Sequence, residues 1–428
     1  MRDMAASGQD LESFIASELE RRERVVRSYF SAEAPRLATA CHRMAECFAR
    51  GGRILAFGVG AAATDAQHIS VEFVHPVIVG KRALPAIALP NDGPSALGFA
   101  ALDPAAIFSR QIELLGGPED IAVGFAPSDQ DLGEPAVAAG LKQAASQGML
   151  TLAFTGPTSL PAASRTDHLF SCADPDPFVV QEVHETAYHV LWELVHVFFD
   201  HKGVLEGRAA GSRHDVGASS FLYPFLSEAE KDLPAILEEV EDSIRTKAEE
   251  VITIRNAGAG EGSATLVDAA SLMAERFQAG AKVLAFGNGG SATDAQDLVT
   301  DLMDPPAGLR PHPALSLTNE AAVVTAVGND VGYDNIFARQ VIAYGDAGDI
   351  VVAISTSGGS RNVLAALEEA RRRDMVRIGF GGYGGGETLA RGLCDHTFVI
   401  GYEYVPRIQE AQATQYHILL RLVDKLLA

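Results

Sequence analysis

The chain carries the same sequence twice, and this duplication limits its fold more than any other feature. "MAECFARGGRILAFG" from Met44 and "MAERFQAGAKVLAFG" from Met273 differ by an offset of 229 residues. "IFSRQI" recurs as "IFARQV" at the same offset, and "QEVHETAYHVLWELV" from Gln181 recurs from Gln409 as "QEAQATQYHILLRLV". Long matches at a nearly constant offset indicate a tandem duplication rather than a short-period solenoid.

The duplication predicts two domains joined by a linker. We expect residues 1–200 to form the first domain and 226–428 the second, with the Gly- and Ser-rich segment 201–225 between them. In each copy short apolar runs such as "VLAF" and "IVVAI" alternate with helical patterns. Such runs are typical of parallel strands covered by helices on both faces. The predicted fold class is therefore α/β, with two three-layer α/β/α sandwiches of about five parallel strands each.

Composition excludes several classes of function. Lysine and arginine number 34 against 56 acidic residues, so the net charge of 34 − 56 = −22 argues against nucleic acid or an anionic membrane as partner. The four cysteines show no metal-ligand spacing, which indicates free thiols in a reducing compartment. The N-terminus lacks a signal-peptide pattern and no apolar run approaches a membrane span, so we expect a cytoplasmic protein.

Two glycine-rich loops of the second copy are typical of phosphate binding. "GNGGS" and "STSGGS" each follow a predicted strand and precede a predicted helix. Glycine lets the backbone approach an anion, and the dipole of the following helix favours negative charge. The candidate phosphate-binding residues are Asn288, Ser291, Ser355, Thr356, Ser357 and Ser360. Helix capping is the alternative, although one cap per helix explains only two of these five hydroxyls.

The loops predict no nucleotide cofactor, because neither G-x-x-x-x-G-K-[ST] nor G-x-G-x-x-G is present. The first copy has Val59 and Ala62 in place of the asparagine and serine of the first loop. Its second loop reads "APSDQD" from Ala126 to Asp131, with two acids where a phosphate would bind. We therefore expect phosphate in the second copy and none in the first.

Polar residues with helical spacing form a second candidate site in each copy. His68 and Glu72 lie four residues apart and so share one face of a helix, while Gln181 and His189 lie two turns apart on a later helix. Such a set suits a zinc-like ion and an acid–base pair. The equivalent positions of the second copy are Asp297, Asp301, Gln409 and His417.

The exchange of histidine and glutamate for aspartates changes the metal that the second site would favour. Carboxylates are harder ligands than imidazole, so this site would favour Mg or Mn, if any metal, over Zn. The shorter Asp301 also retreats by one methylene from the position that glutamate reaches. Ordinary core histidines are the alternative for each helix taken alone; matched residues at homologous offsets favour a site.

Each half resembles the SIS (sugar isomerase) domain, and the phosphoheptose isomerase family in particular. The resemblance rests on "FGNGGSATDAQ", "VGNDVGYDNIFARQV", "GDIVVAISTSGGSRNV" and "RIQEAQATQYHILLRLV" in the second copy, and more weakly on "FGVGAAATDAQHISVEF" in the first. It implies a flavodoxin-like sheet and the interconversion of sedoheptulose 7-phosphate with an aldose phosphate. It also implies that Glu72 is the general base and His189 the acid, with Asp301 and His417 as their equivalents. Gly359 and Pro406 depart from the family pattern.

The resemblance leaves three functions open. The first is an isomerase whose sites are shared between the copies; because family members are tetramers, a homodimer of this chain would form a pseudo-tetramer. The second is a non-catalytic sugar-phosphate sensor or adaptor, favoured by the aspartates at positions 297 and 301. The third is a metal-handling maturation accessory built on the first copy.

Overall fold

A computed structural model of the chain describes residues 8–77, 81–127, 134–157, 166–200, 205 and 232–428. The chain forms two compact units. The N-terminal unit comprises Arg24–Glu250 and the C-terminal unit comprises Met1–Glu23 with Val251–Ala428. The predicted linker 201–225 lies, except for residue 205, outside the described residues.

Two long helices contribute to both units. Helix α1 spans Gly8–Ala49, so its first sixteen residues belong to the C-terminal unit and the rest to the N-terminal unit. Helix α7 spans Leu233–Glu261; its residues up to Glu250 belong to the N-terminal unit and those from Val251 belong to the C-terminal unit. Each unit therefore takes a helical segment from the other copy of the duplicated sequence.

The N-terminal unit is built on a five-stranded parallel sheet. Its further elements are β1 (Ile54–Phe57), α2 (Ala61–Val74), β2 (Ala86–Ala88), α3 (Gly93–Ala100), α4 (Ala106–Leu115), β3 (Ile121–Ala126), α5 (Glu134–Ser146), β4 (Leu150–Thr155), β5 (His168–Ser171) and α6 (Pro177–Asp200). The strand order is β2-β1-β3-β4-β5, with Ile54 opposite both Ala86 and Ile121. This is the flavodoxin-like order.

The C-terminal unit repeats this architecture. Its elements are α8 (Ser263–Gln278), β6 (Val283–Phe286), α9 (Gly290–Met303), β7 (Ala314–Ser316), α10 (Ala321–Asp330), α11 (Ile336–Tyr344), β8 (Ile350–Ser355), α12 (Arg361–Arg372), β9 (Val376–Gly382), α13 (Gly386–Ala390), β10 (His396–Ile400) and α14 (Val405–Leu427). All strands are parallel in the order β10-β9-β8-β6-β7, which is the same topology read from the other edge. The predicted fold class is confirmed in both units.

Homologous aromatic residues anchor the two cores. Phe57 and Phe108 pack with ring centroids 5.2 Å apart in the N-terminal unit, and Phe286 and Phe337 do so at 5.2 Å in the C-terminal unit. Full burial of such a side chain stabilises a fold by roughly 1.5–3 kcal/mol. Within the described part of the chain, no helix combines the length and apolar character that crossing a bilayer requires.

The carboxyl end of the first strand in each unit leads into a loop that turns on a glycine with positive φ. Gly60 has φ 64° directly before α2, and Gly289 has φ 58° directly before α9. This left-handed region is accessible to glycine at little cost. The two loops thus keep one backbone path, although their side chains differ.

Substitution of Gly58 tests whether this loop backbone requires glycine. A Cβ at Gly58 would lie 2.3 Å from the carbonyl oxygen of Ala62, whereas a Cβ at Gly93 would meet nothing within 4 Å. We expect Gly58→Ala to lower the free energy of unfolding by about 1–3 kcal/mol, because the backbone of α2 must shift. Gly93→Ala should change it by no more than about 0.5 kcal/mol. Thermal denaturation of both variants checks this, and equal melting temperatures would contradict it.

Candidate functional site

The predicted acid–base residues of the first copy converge between α2 and α6. His68 and Glu72 lie on one face of α2, and the Nε2 atom of His68 is 3.8 Å from Oε1 of Glu72. His189 extends from α6 so that its Nε2 is 3.4 Å from Nε2 of His68. One ligand atom from each of the three residues lies within 4.8 Å of the others, and all three side chains are buried. We call these three residues the histidine–glutamate cluster.

Burial dominates the electrostatics of the histidine–glutamate cluster. It raises the pKa of Glu72 to about 7; the nearby His189 opposes this rise and the Glu193 carboxylate adds to it. Burial, and then the neighbouring His189, hold the pKa of His68 well below its ordinary value. A carboxyl with a pKa near 7 can both accept and release a proton at neutral pH, which is what a general base requires.

Charged residues surround Glu72 at greater distance. Lys81 lowers the pKa of Glu72, and it lies with its Nζ 4.6 Å from the centroid of the Trp192 ring. The same Nζ donates to the backbone carbonyl of Glu193 over 3.2 Å. The Glu193 carboxylate in turn pairs with Lys247 of α7 at 2.5 Å. Sequence spacing did not indicate Lys81 or Lys247, because neither lies on α2 or α6.

Gln181, the fourth predicted ligand, is buried at the start of the same α6 face. Its amide nitrogen lies 3.4 Å from the carbonyl oxygen of Ala61 and 3.5 Å from Oγ1 of Thr64. Thr64 precedes His68 by one turn of α2. The amide therefore joins the first turn of α2 to α6, next to the histidine–glutamate cluster.

The equivalent residues of the second copy also converge. Nε2 of His417 lies 3.5 Å from Oδ2 of Asp297 and 3.3 Å from Oδ2 of Asp301. The hydroxyl of Tyr416 donates to the same Asp297 oxygen at 2.8 Å. Gln409 is buried eight residues earlier on α14. This cluster, the aspartate cluster, holds two carboxylates and one imidazole, where the N-terminal unit holds one carboxylate and two imidazoles.

The predicted phosphate loop after β8 is shaped by glycine. Gly358 has φ 61°, and a Cβ there would lie 2.2 Å from the carbonyl oxygen of Gly385. Oγ of Ser355 lies 3.3 Å from Oγ of Ser360, so these two hydroxyls face the same point. The hydroxyl of Ser357 accepts from the backbone N–H of Gly359 at 3.3 Å. Thr356 belongs to the same turn, and its carbonyl accepts from the backbone N–H of Gly382 at 2.8 Å.

Capping does not account for the hydroxyl at the start of α12. Ser360 occupies the N-cap position, yet its side chain makes no capping hydrogen bond. Its contact is with Ser355 instead. An N-cap serine ordinarily accepts from a backbone N–H of the first turn. The arrangement favours the phosphate interpretation over capping.

The loop after β6 adds an amide and a hydroxyl. Asn288 and Asn362 face each other through reciprocal amide contacts of 2.8 and 3.0 Å. The hydroxyl of Tyr333 donates to Oδ1 of Asn288 at 3.1 Å. Ser291 is buried in the first turn of α9. The loop sequence predicts Asn288 and Ser291 but not Asn362 or Tyr333, because only the folded chain brings these two residues to the loop.

The loop after β1 in the first copy has the same backbone conformation as the loop after β6 in the second copy, but it lacks the polar side chains. Gly60 and Gly289 share the same left-handed conformation, and Gly58 and Gly287 are equally close to the following helix. Ala62 stands where the second copy has a serine. The second predicted departure, "APSDQD" from Ala126 to Asp131, lies beyond the described residues after Pro127.

Comparison with known families agrees with this geometry. The SIS domain model matches residues 19–156 and 248–382. The chain belongs to the SIS domain family. Both copies of the duplicated sequence are matched, so this is a tandem SIS domain protein, as the sequence motifs predicted.

Individual relatives refine the comparison. A phosphoheptose isomerase of Thermodesulfovibrio yellowstonii is 40% identical over 190 residues, which cover 44% of this chain and 94% of that protein. It supports the prediction that the tandem SIS domain chain is an isomerase. Several solved structures match nearly the whole chain. The C-terminal domain of a glucosamine-fructose-6-phosphate aminotransferase from Francisella tularensis has a TM-score of 0.59 and 10% identity, and covers 97% of this chain and 96% of that one. A tagatose-6-phosphate ketose/aldose isomerase from Escherichia coli has a TM-score of 0.56 and 13% identity, and covers 96% and 93%. At such low identity these two structures bear on the fold alone.

His184 is a buried histidine that is not part of the histidine–glutamate cluster. It lies on α6 with its Nε2 3.3 Å from the carbonyl oxygen of Thr155, and burial lowers its pKa to about 3. In the unfolded chain it would bind a proton near pH 6.5, so stability is lost as the pH falls from about 6.5 towards 3. We expect His184→Gln, which copies Gln412 of the second copy, to remove about 3 kcal/mol of this loss at pH 4. Chemical denaturation of both proteins at pH 7 and pH 4 measures the difference, and parallel stability curves would contradict it.

Proposed function

We propose that the chain is an aldose–ketose isomerase acting on a phosphorylated sugar of the sedoheptulose 7-phosphate class. The observation that carries the proposal is the environment of Glu72. Its carboxyl is buried beside two histidines, burial raises its pKa to about 7, and its Oε2 has no hydrogen-bond partner among the described residues. The name of the 40%-identical relative, phosphoheptose isomerase, supports the same assignment.

The chemistry requires one proton to move between adjacent carbons. In the proposed reaction the Glu72 carboxylate takes the proton from the carbon next to the carbonyl and returns it to the neighbouring carbon. The electron pair of the broken C–H bond forms the carbon–carbon double bond of an enediol, while the π pair of the carbonyl moves onto its oxygen. His189 donates a proton to that oxygen and accepts one from the neighbouring hydroxyl, which becomes the new carbonyl. Asp301 and His417 are the corresponding residues of the second copy.

The histidine–glutamate cluster fits a divalent metal ion. Two imidazole nitrogens and a carboxylate converge, and a buried carboxylate oxygen without a hydrogen-bond partner is suited to a cation. His68, Glu72 and His189 would hold zinc, with Gln181 beside them; a bound zinc ion would polarise the sugar carbonyl. The aspartate cluster, with Gln409 nearby, would instead favour Mg or Mn.

We further propose that the copies divide the work. The loops of the C-terminal unit would bind the phosphate through Asn288, Ser291 and the hydroxyls of residues 355–360. The histidine–glutamate cluster of the N-terminal unit would supply the proton transfer. This division accounts for the loss of hydroxyls in one copy and of the glutamate in the other. We also propose that the chain acts in the cytoplasm as a homodimer with four SIS domains.

The phosphate assignment is tested by removing two hydroxyls. We expect Ser355→Ala with Ser357→Ala to weaken binding of sedoheptulose 7-phosphate by about 100-fold or more, because each hydrogen bond to a charged group contributes about 1.5–3 kcal/mol. The matched control is Ser271→Ala, an exposed serine of α8 that bonds only to the Val267 carbonyl of its own helix among the contacts described. Isothermal titration calorimetry measures both, and unchanged affinity in the double variant would refute the assignment.

The division of work is tested by two isosteric substitutions. Glu72→Gln should lower kcat by about 100- to 10,000-fold while leaving sugar-phosphate affinity nearly unchanged, since it removes the base and not the phosphate loops. Asp301→Asn should have a much smaller effect. Turnover is followed by conversion of the ketose, and bound zinc by elemental analysis.

The reverse order, with Asp301→Asn inactive and Glu72→Gln unaffected, would assign the proton transfer to the second copy. Absence of turnover with every phosphorylated ketose, with and without added zinc or manganese, would contradict the isomerase proposal. Retained calorimetric binding in that case would favour the sugar-phosphate sensor.

A further inference from the structure

Homologous ion pairs of opposite polarity attach a helical segment to each unit. In the N-terminal unit Lys247 of α7 pairs with Glu193 of α6 at 2.5 Å. In the C-terminal unit Glu18 of α1 lies 3.9 Å from Arg421 of α14. Position 18 corresponds to 247 at the offset of 229, and position 193 corresponds to 421 at the offset of 228. The same contact therefore exists in both units with the two charges exchanged.

The rest of the helical contact is nearly the same in the two units. Ile15 corresponds to Ile244 and Leu11 to Val240, and all four side chains are buried. These apolar residues recur with one spacing, so they give each segment a similar stripe. Hydrophobic burial alone does little to distinguish the partner of one segment from the partner of the other.

The ion pairs lie where charge has a large effect. The side chains of Lys247 and Glu193 are 16% and 1% exposed, and those of Arg421 and Glu18 are 22% and 10% exposed. Glu18 is also held by Arg22, one turn later on α1, at 2.7 Å. Charges so little exposed are weakly screened, and an unpaired charge at such a position is costly.

Exchange of the segments would place like charges together. Residues 233–250 on the C-terminal unit would bring Lys247, in place of Glu18, to Arg421, so that one cation would face another. Residues 8–23 on the N-terminal unit would bring Glu18 to Glu193, two buried carboxylates. Specificity between similar partners commonly requires a repulsive element of this kind.

We propose that these two reversed ion pairs determine which helical segment packs on which SIS domain. They direct residues 8–23 to the C-terminal unit and residues 233–250 to the N-terminal unit. The partner that each segment selects is the last helix of a SIS domain that carries the opposite charge, at position 421 or 193. Two copies with the same fold and similar apolar surfaces are thereby kept distinct.

The first experiment separates repulsion from the simple loss of an attraction. Lys247→Met removes the cation and should lower the melting temperature by about 5 °C, whereas Lys247→Glu installs the charge of position 18 and should lower it by about 10 °C. Adding Glu193→Arg to Lys247→Glu installs the pair of the C-terminal unit, and should restore the melting temperature to within about 2 °C. Equal melting of the two single variants, or failure of the double variant to recover, would overturn the proposal.

The second experiment reports which segment is selected. Phe14 lies against Lys425, whose Nζ is 4.4 Å from the ring centroid, and Ser243 is the residue of α7 that corresponds to Phe14. Cysteines at 14, 243 and 425, in a chain with Cys394→Ala, compete for a short bis-maleimide cross-linker, and mass spectrometry identifies the partner of position 425. With native charges the 14–425 product should dominate. With Lys247→Glu and Glu193→Arg both segments carry glutamate, and the ratio of 243–425 to 14–425 products should rise at least about tenfold, in line with a loss of electrostatic discrimination. An unchanged ratio in that variant would overturn the proposal, even if it melts like the native chain.

Discussion

Both units depend on one backbone constraint at the end of their first strand. A glycine in the left-handed region, Gly60 or Gly289, turns the chain directly from the strand into α2 or α9. Two residues earlier, Gly58 or Gly287 lets the helix approach too closely for any side chain. The direction of α2 and α9, and with it the placement of both ionisable clusters, follows from these glycines. The side chains of the loop contribute little to this geometry, so they were able to diverge while the fold stayed the same.

The divergence of the two clusters has a clear electrostatic meaning. In the histidine–glutamate cluster one carboxyl lies beside two imidazoles, and burial raises its pKa to about 7. The aspartate cluster places two carboxylates within 3.5 Å of one imidazole, His417. Two carboxylates in such proximity repel when both are ionised, and a nearby cation would offset that repulsion. The same scaffold thus places two different sets of ionisable groups at homologous positions.

Sequence patterns predicted much of this arrangement, for identifiable reasons. Helical spacing placed His68 beside Glu72, and the internal repeat placed the homologous residues of the second copy on the same helices. The hydrophobic period and the residue spacing of a sequence do not reveal contacts between segments that lie far apart in the chain. The contact of Gln181 with Thr64 and the approach of Tyr333 to Asn288 were therefore not predictable. Most of residues 201–225 lie outside the described chain, so the domain limits 1–200 and 226–428 stay predictions.

The division of α1 and α7 between the units has a consequence for cooperativity. Residues 8–23 bury Leu11, Ile15 and Leu19 as part of the C-terminal unit, while the remainder of α1 belongs to the other unit. A chain ending at residue 200 would leave this apolar stripe in water and would lack residues 233–250, which complete its own core. Each half of the gene product therefore resembles a repeat without its neighbour more than an autonomous domain. Proteolysis between the copies, followed by separation of the fragments, should yield aggregation-prone halves, since each fragment carries a hydrophobic surface whose complement lies on the other.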